Sequence, residues 1–219
     1  TSPIPNMATG ATFLSGNSTL DPVNRKFYYS YGFNSVLAEV DLVNGTMALR
    51  NMNNPNNADT RITCMQYYPG DGMIYGLNMK NSQLRLAKLN PATGAISLVS
   101  QNPISGDQYS SGDATLDTTT GIFYYLRGGA TKQLVRVNVQ TGTATSVNVS
   151  NPNQAISPIV NIQWNPVDSM IYGLNFTQGQ LRMAKLNPAT GTVTLISQTP
   201  TSADAFSSGT ATLDPQTGR

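Results

Sequence analysis

Residues 66–78 read QYYPGDGMIYGLN, and residues 163–175 read QWNPVDSMIYGLN. The match continues without a gap, LRLAKLNPATGAISLVSQ from Leu84 against LRMAKLNPATGTVTLISQ from Leu181, and then SSGDATLD against SSGTATLD as far as Asp117 and Asp214. The offset is 97 residues throughout. Self-similarity at a fixed period is the signature of a repeat architecture, and it constrains every later reading.

Inside this period sits a half-period. Related segments begin at Thr19, Gln66, Thr115, Gln163 and Thr212, so successive starts lie 47, 49, 48 and 49 residues apart. One tyrosine recurs in register, at Tyr28, Tyr75, Tyr124 and Tyr172, and the residue after it alternates between Tyr29, Gly76, Tyr125 and Gly173. Two kinds of unit therefore alternate, as if a pair had been duplicated.

Each half-repeat holds four short strands. In the unit from Thr115 they read ATLD, IFYYL, LVRVNV and ATSVNV. The first two are joined by DTTTG here and by DPVNRK or DPQTG elsewhere; the last two are joined by NVQTG, NPATG or DLVNG. Asp or Asn opening such a turn caps its amides, and a closing Gly accepts positive φ. Val135, Val137 and Val139 alternate with Arg136 and Asn138, the period-two pattern of a strand with two distinct faces. Four strands in about 48 residues, strictly repeated, predict the blade of an all-β propeller. A stacked solenoid is the rival, but it usually has shorter β repeats or helices, and no helical periodicity is present.

The expected blades are 17–63, 64–112, 113–160 and 161–209, with a further blade starting at 210–219. Four full units and one strand leave open edges, which isolated β proteins avoid. The expectation is a single propeller domain, partial over 1–219, belonging to a larger propeller of six or eight blades or else closed by a second chain.

The pattern resembles the secreted and surface-displayed repeat propellers whose blades carry an L-x-x-x-N-P-x-T-G turn. Leu86–Gly94 matches it in full, Leu134–Gly142 has Val139 for the proline, Met183–Gly191 has Met for the leucine, and the first unit ends its turn on Asn44-Gly45. The resemblance spans essentially the whole chain. It implies a fold and leaves function open among adhesion, scaffolding, ligand binding and catalysis.

Composition narrows the field. Charged residues make up 11% of the chain and the net charge is +2, too little for a nucleic-acid or anionic-membrane footprint. There is no histidine, which removes the commonest general base and metal ligand, and Cys64 stands alone, so no intrachain disulfide forms. A lone cysteine reads as a small buried hydrophobe. No apolar stretch is long enough to span a bilayer and residues 1–20 are not a signal peptide, so Thr1 reads as a trimmed or internal start. Sequons at Asn17, Asn44, Asn148 and Asn175 are expected in loops or at strand ends, and point to an extracellular or cell-surface glycoprotein.

Candidate ligand residues lie in the long exits from the fourth strands. Tyr109 and Phe206 each stand three residues before a glycine, with Phe13 in the matching place, and Asp107 and Asp204 accompany them. A ring beside an acid suits a sugar, the ring on the pyranose face and the polar group on its hydroxyls; packing between blades explains the same repetition more simply. The tyrosine column and Trp164 read as sheet-to-sheet packing. Glu39, Lys88, Arg136 and Lys185 form a charged column, read as solvated strand faces or a pairing between blades. Asp21, Asp117 and Asp214 read as turn caps rather than calcium ligands, so no metal or other cofactor is expected. Without a histidine or a G-x-S-x-G elbow, no catalytic residue is assigned. The expected function is a structural or adhesive propeller, not an enzyme, contacting other protein chains or its own copies. A lectin-like glycan-binding module is the alternative, and an enzyme with its site in other blades comes third.

Overall fold

The structure, a computed structural model, describes residues 17–31, 35–81, 83–100, 109–127, 132–197, 199 and 201–202. Those residues form four antiparallel sheets, each wound in chain order. The first holds β1 (Ser18–Asp21), β2 (Lys26–Tyr31), β3 (Val36–Asp41) and β4 (Met47–Asn51). The second holds β5 (Thr60–Tyr68), β6 (Met73–Lys80), β7 (Gln83–Leu89) and β8 (Ile96–Leu98). β9 (Tyr109–Asp117), β10 (Ile122–Arg127), β11 (Gln133–Asn138) and β12 (Ala144–Asn148) make the third. The fourth comprises β13 (Ser157–Asn165), β14 (Met170–Thr177), β15 (Gln180–Leu186) and β16 (Val193–Leu195), and β17 (Thr201–Ser202) pairs with β15. No helix occurs among the described residues.

The chain divides into two compact units, residues 1–106 with the turn 139–142, and residues 107–138 with 143–219. The first contains sheets one and two. Its core gathers Tyr28, Leu37, Met52, Ile62, Ile74 and Leu89, and Tyr28 stacks on Tyr67 at 6.2 Å between ring centroids. The second unit contains sheets three and four. Tyr124, Leu134, Ile162, Ile171 and Leu186 fill its core, and Tyr124 stacks on Trp164 at 5.5 Å. Each stack adds about 0.5–1.5 kcal/mol beyond the area it buries. A threonine fixes the register of each pair of sheets: Thr19 Oγ1 accepts the Tyr67 amide and Thr115 Oγ1 accepts the Trp164 amide, both at 2.8 Å.

The turns form as their residues dictate. Asp21 Oδ1 accepts the amides of Val23 and Asn24, Asp117 Oδ1 those of Thr119 and Thr120, and Asp41 Oδ1 those of Val43 and Asn44. Asp214 lies outside the described residues.

The opening strands differ from expectation. Sheets two, three and four begin at Thr60, Tyr109 and Ser157, four residues ahead of the expected blade starts at 64, 113 and 161. β5 and β13 are interrupted by register shifts, and Cys64 (φ 54°) and Asn161 (φ 52°) adopt left-handed backbone there. A β-bulge inserts an extra residue and breaks the alternation from which a strand is read. The Asn161 amide donates to Asp113 Oδ1 at 2.8 Å.

The bulge also explains the alternating glycines. A Cβ on Gly76 would stand 2.6 Å from the Thr63 carbonyl oxygen, and one on Gly173 would stand 2.5 Å from that of Val160. Only hydrogen fits where the bulged strand crosses. In β2 and β10 the same position carries Tyr29 and Tyr125, and the register shift of β9 against β10 falls between Tyr125 and Arg127.

Candidate interaction site

Of the sequence-derived ligand residues, Asp107, Asp204 and Phe206, with Phe13, lie outside the described residues. Tyr109 opens β9 opposite Arg127, and its side chain also lies outside them.

The sequons separate into two classes. Asn44 sits in the exposed β3–β4 turn, and Asn148 ends β12 with its side chain exposed. Asn17 is buried, and Asn175 is 0% exposed inside β14. The expectation of a loop or strand-end position is corrected for Asn175. Its amide donates to the Pro158 carbonyl and to Asn153 Oδ1 and accepts from Asn153 Nδ2, so a glycan there would displace all three bonds.

Those bonds belong to a feature that occurs once in each unit. The segment joining β4 to β5 contains Asn54-Pro55-Asn56-Asn57-Ala58, and the segment joining β12 to β13 contains Asn151-Pro152-Asn153-Gln154-Ala155. In the first, Asn54 closes its own loop, accepting the Ala58 amide at 2.8 Å and donating to the Ala58 carbonyl at 3.0 Å. Asn151 does the same with Ala155, both bonds at 2.8 Å. The loop is thus closed by a side-chain amide acting as a strand partner. Asn57 (φ 51°) and Gln154 (φ 52°) make the left-handed turn that the clasp requires.

The next asparagine pins each strap to its sheet. Asn56 Nδ2 donates to Asn78 Oδ1 at 2.7 Å, and Asn78 Nδ2 donates to the Arg61 carbonyl at 2.9 Å. Asn153 reaches Asn175 at 2.8 Å and Thr177 Oγ1 at 3.1 Å. Asn78 and Asn175 are fully buried, and these bonds satisfy amides that would otherwise be costly to bury. Sequence reading passed over these asparagines, although Asn-Pro-Asn-x-Ala recurs at the 97-residue offset and carried the signal.

The straps share a backbone and differ in surface. Around the first, Lys80 Nζ donates to the Asn56 carbonyl at 2.6 Å, Asp59 Oδ2 accepts the Asn81 amide at 2.7 Å, and Arg61 donates to the Met52 carbonyl. The counterparts in the second are Thr177, Ile156 and Pro158, and Ile156 is 69% exposed. The first strap offers charge, the second an apolar side chain.

The charged and aromatic columns are held within the units. Glu39 pairs with Lys26 at 2.7 Å and Arg50 at 3.3 Å, and Arg136 donates to Thr145 Oγ1 and the Pro188 carbonyl. The hydroxyls of Tyr75 and Tyr172 donate to Asp71 and Asp168, each at 2.7 Å. Burial pushes the phenols of Tyr28, Tyr75 and Tyr124 above their usual range, and Tyr75 is raised further by its bond to Asp71. The Tyr172 phenol is raised first by its bond to Asp168 and then by burial. Among the described residues no three His, Cys, Asp or Glu side chains lie together as a metal site would need. The arrangement supplies amide donors, acceptors and apolar surface: it can bind through hydrogen bonds and contact area.

A family described as a repeat of unknown function (DUF6923) matches residues 44–211. No curated protein matches the chain. Among solved structures, a putative TolB from Agrobacterium tumefaciens aligns with a TM-score of 0.61 at 11% identity, over 83% of this chain and 61% of its own. A chain of a nidogen/laminin complex aligns at 0.55 and 10% identity, over 80% and 60%. The Dos1 propeller aligns at 0.51 and 9% identity, over 78% and 45%. A puromycin hydrolase and the hydrazine synthase of Kuenenia stuttgartiensis are similar as well, so the fold serves enzymes and binding proteins alike. At such identities the likeness is one of fold: an all-β propeller made of four-stranded blades. The chain spans about three fifths of the length of the first two.

Proposed function

This chain belongs to the repeat family of unknown function DUF6923, and we propose that it is a non-enzymatic structural or adhesive propeller of the cell exterior that binds other protein chains through its straps. The observation that carries the reading is the pair of amide-clasped loops. Each projects exposed residues, Pro55, Asn57 and Asp59 in one and Pro152, Gln154 and Ile156 in the other, from a backbone held by asparagine side chains. Loops ordered before binding lose little entropy on contact, which favours protein recognition by a small surface. The exposed Asn44 and Asn148 sequons and the low charge support an extracellular setting. There, intact mass before and after glycosidase treatment should show glycan on Asn44 or Asn148 and none on Asn175.

Selection of a phage-displayed peptide library on the chain tests the binding role, with a glycan array as its counterpart. The reading expects enriched peptides whose binding falls about tenfold in Ile156→Asp, a loss of about 1.4 kcal/mol, and no saturable glycan. Saturable glycan binding, lost on replacing Tyr109, Phe206, Asp107 and Asp204 by alanine, would establish the lectin-like role instead.

A further inference from the structure

Four described turns join a third strand to a fourth, and they differ in the residue before the closing glycine. Three of them end in Thr93-Gly94, Thr141-Gly142 and Thr190-Gly191, whereas the β3–β4 turn ends in Asn44-Gly45. Asn44 is exposed, and so are the three threonines, so this turn position meets solvent in every sheet.

An asparagine followed by glycine carries its own reaction partner. The backbone nitrogen of the glycine can close a five-membered ring on the side-chain amide carbon, and glycine has no Cβ to obstruct the approach. The chain contains no other Asn-Gly. Asn54, Asn90, Asn151, Asn165 and Asn187 precede proline, whose nitrogen has no proton to lose.

The folded turn acts against this reaction through one residue. The Asp41 carbonyl accepts the Gly45 amide at 2.8 Å, so the nucleophile's proton is held. Asp41 Oδ1 accepts the Asn44 amide at 2.9 Å, and Oδ2 accepts Asn44 Nδ2, the leaving group, at 3.1 Å. Bonds to an ionised acceptor are stronger than neutral ones. We propose that Asn44 is a deamidation site and that the Asp41 carboxylate sets its rate.

In the reaction the Gly45 nitrogen gives up its proton and bonds to Asn44 Cγ. The Cγ–Nδ2 bond breaks, and Nδ2 leaves as ammonia with that proton. Water then opens the succinimide at one of its two carbonyls, leaving aspartate or isoaspartate at position 44, with no change of oxidation state. The product carries a carboxylate beside Asp41, so repulsion replaces the Asn44 Nδ2 bond and the turn loses part of its cap. Conversion also removes the acceptor nitrogen of the Asn44 sequon. The reaction needs no partner chain and no exterior setting, so its test stands apart from the strap reading.

The test uses the chain made in a host that does not glycosylate it, held in mildly alkaline buffer. Peptide mapping by mass spectrometry and isoaspartate assay follow each asparagine, and the urea-unfolded chain gives the rate with the turn open. Asn44 should convert before any other asparagine, more slowly folded than unfolded. Asp41→Ala should speed its conversion about tenfold, and Asp41→Asn, which keeps one acceptor oxygen, should fall between the two. Gly45→Ala should slow it below the wild type. The Asp41 variants are compared at unchanged melting temperature, and Asp41→Asn carries the comparison if Asp41→Ala loosens the fold. An Asn44 that persists while another asparagine converts, or Asp41 variants that convert at the wild-type rate, would overturn the proposal.

Discussion

The two straps have one backbone and two surfaces. Asn54, Asn56 and Asn78 recur as Asn151, Asn153 and Asn175 with the same bonds, whereas Asp59, Arg61 and Lys80 become Ile156, Pro158 and Thr177. The recurring asparagines hold each strap in place, whereas the residues around them vary, and Ile156 stands exposed where Asp59 does. The same division runs through the cores, where Thr19 and Thr115 keep their bonds while Tyr67 gives way to Trp164, a substitution that still stacks. Duplicated structure has kept its geometry while its surface was free to change.

The comparison breaks hardest where a side chain would enter a neighbouring backbone. A Cβ on Gly191 (φ 74°) would stand 1.9 Å from the Asn148 carbonyl oxygen, and one on Gly94 would stand 2.3 Å from that of Asn51. Gly179 shares the φ of 74° but faces open space. Gly191→Ala and Gly94→Ala should each cost about 3 kcal/mol or more, against about 1 kcal/mol for Gly179→Ala, which carries only the left-handed penalty. Urea denaturation of the three variants measures the gap; similar losses would mean that the close approach is not maintained.

Next come the buried amides. Asn78→Ala and Asn175→Ala should each lose about 2 kcal/mol, since each removal strands a buried partner. Near-equal losses in the two units would sharpen the comparison. A loss at one position alone would mean that the charged strap and the neutral strap are held by different forces.

Titration bears on both units together. Burial raises the Asp21 carboxyl, but the Asn24 and Val23 amides outweigh it and hold the group low; the Asn44 and Val43 amides lower Asp41. A depressed folded value means stability present above the unfolded pKa and lost as pH falls through the folded one, so denaturation midpoints should fall below about pH 4. Raised phenols work in the opposite direction. Tyr28, Tyr75, Tyr124 and Tyr172 contribute fully below their unfolded pKa, and that stability is lost as pH rises above about 10. A midpoint flat from pH 9 to about 11 would show that the tyrosine column is more open than described. The smallest effect on stability, under about 0.5 kcal/mol, is expected for Ile156→Asp, because its side chain lies in solvent.

Much of the fold was legible because repetition multiplies weak signals. Four tyrosines in register, capped turns at Asp21 and Asp117, and alternation in Val135, Val137 and Val139 all pointed to four-stranded sheets. The opening strands β5 and β13 were read short because Cys64 and Asn161 take left-handed backbone, which no residue pattern announces. Gly76 and Gly173 were visible as an alternation, but their cause is a carbonyl from the preceding, bulged strand. Asn175 was misplaced because a sequon reads as surface, whereas here the amide is a buried strut. The strap at 151–161 was read only as a long exit from a fourth strand, and its clasp was missed for a related reason: Asn and Pro read as loop, and a loop clasped by its own side chain looks the same in sequence as an open one.

The account depends most on those clasps being closed in solution. Amide hydrogen exchange at Ala58 and Ala155, whose protons are held by Asn54 and Asn151, tests this directly. Both amides should exchange far more slowly than those of Asp59 and Ile156, and Asn54→Ala and Asn151→Ala should each release its own strap and leave the other protected. Exchange at open-loop rates in the unaltered chain would contradict the account, since straps that are not ordered in advance could not serve as the binding surface proposed for them.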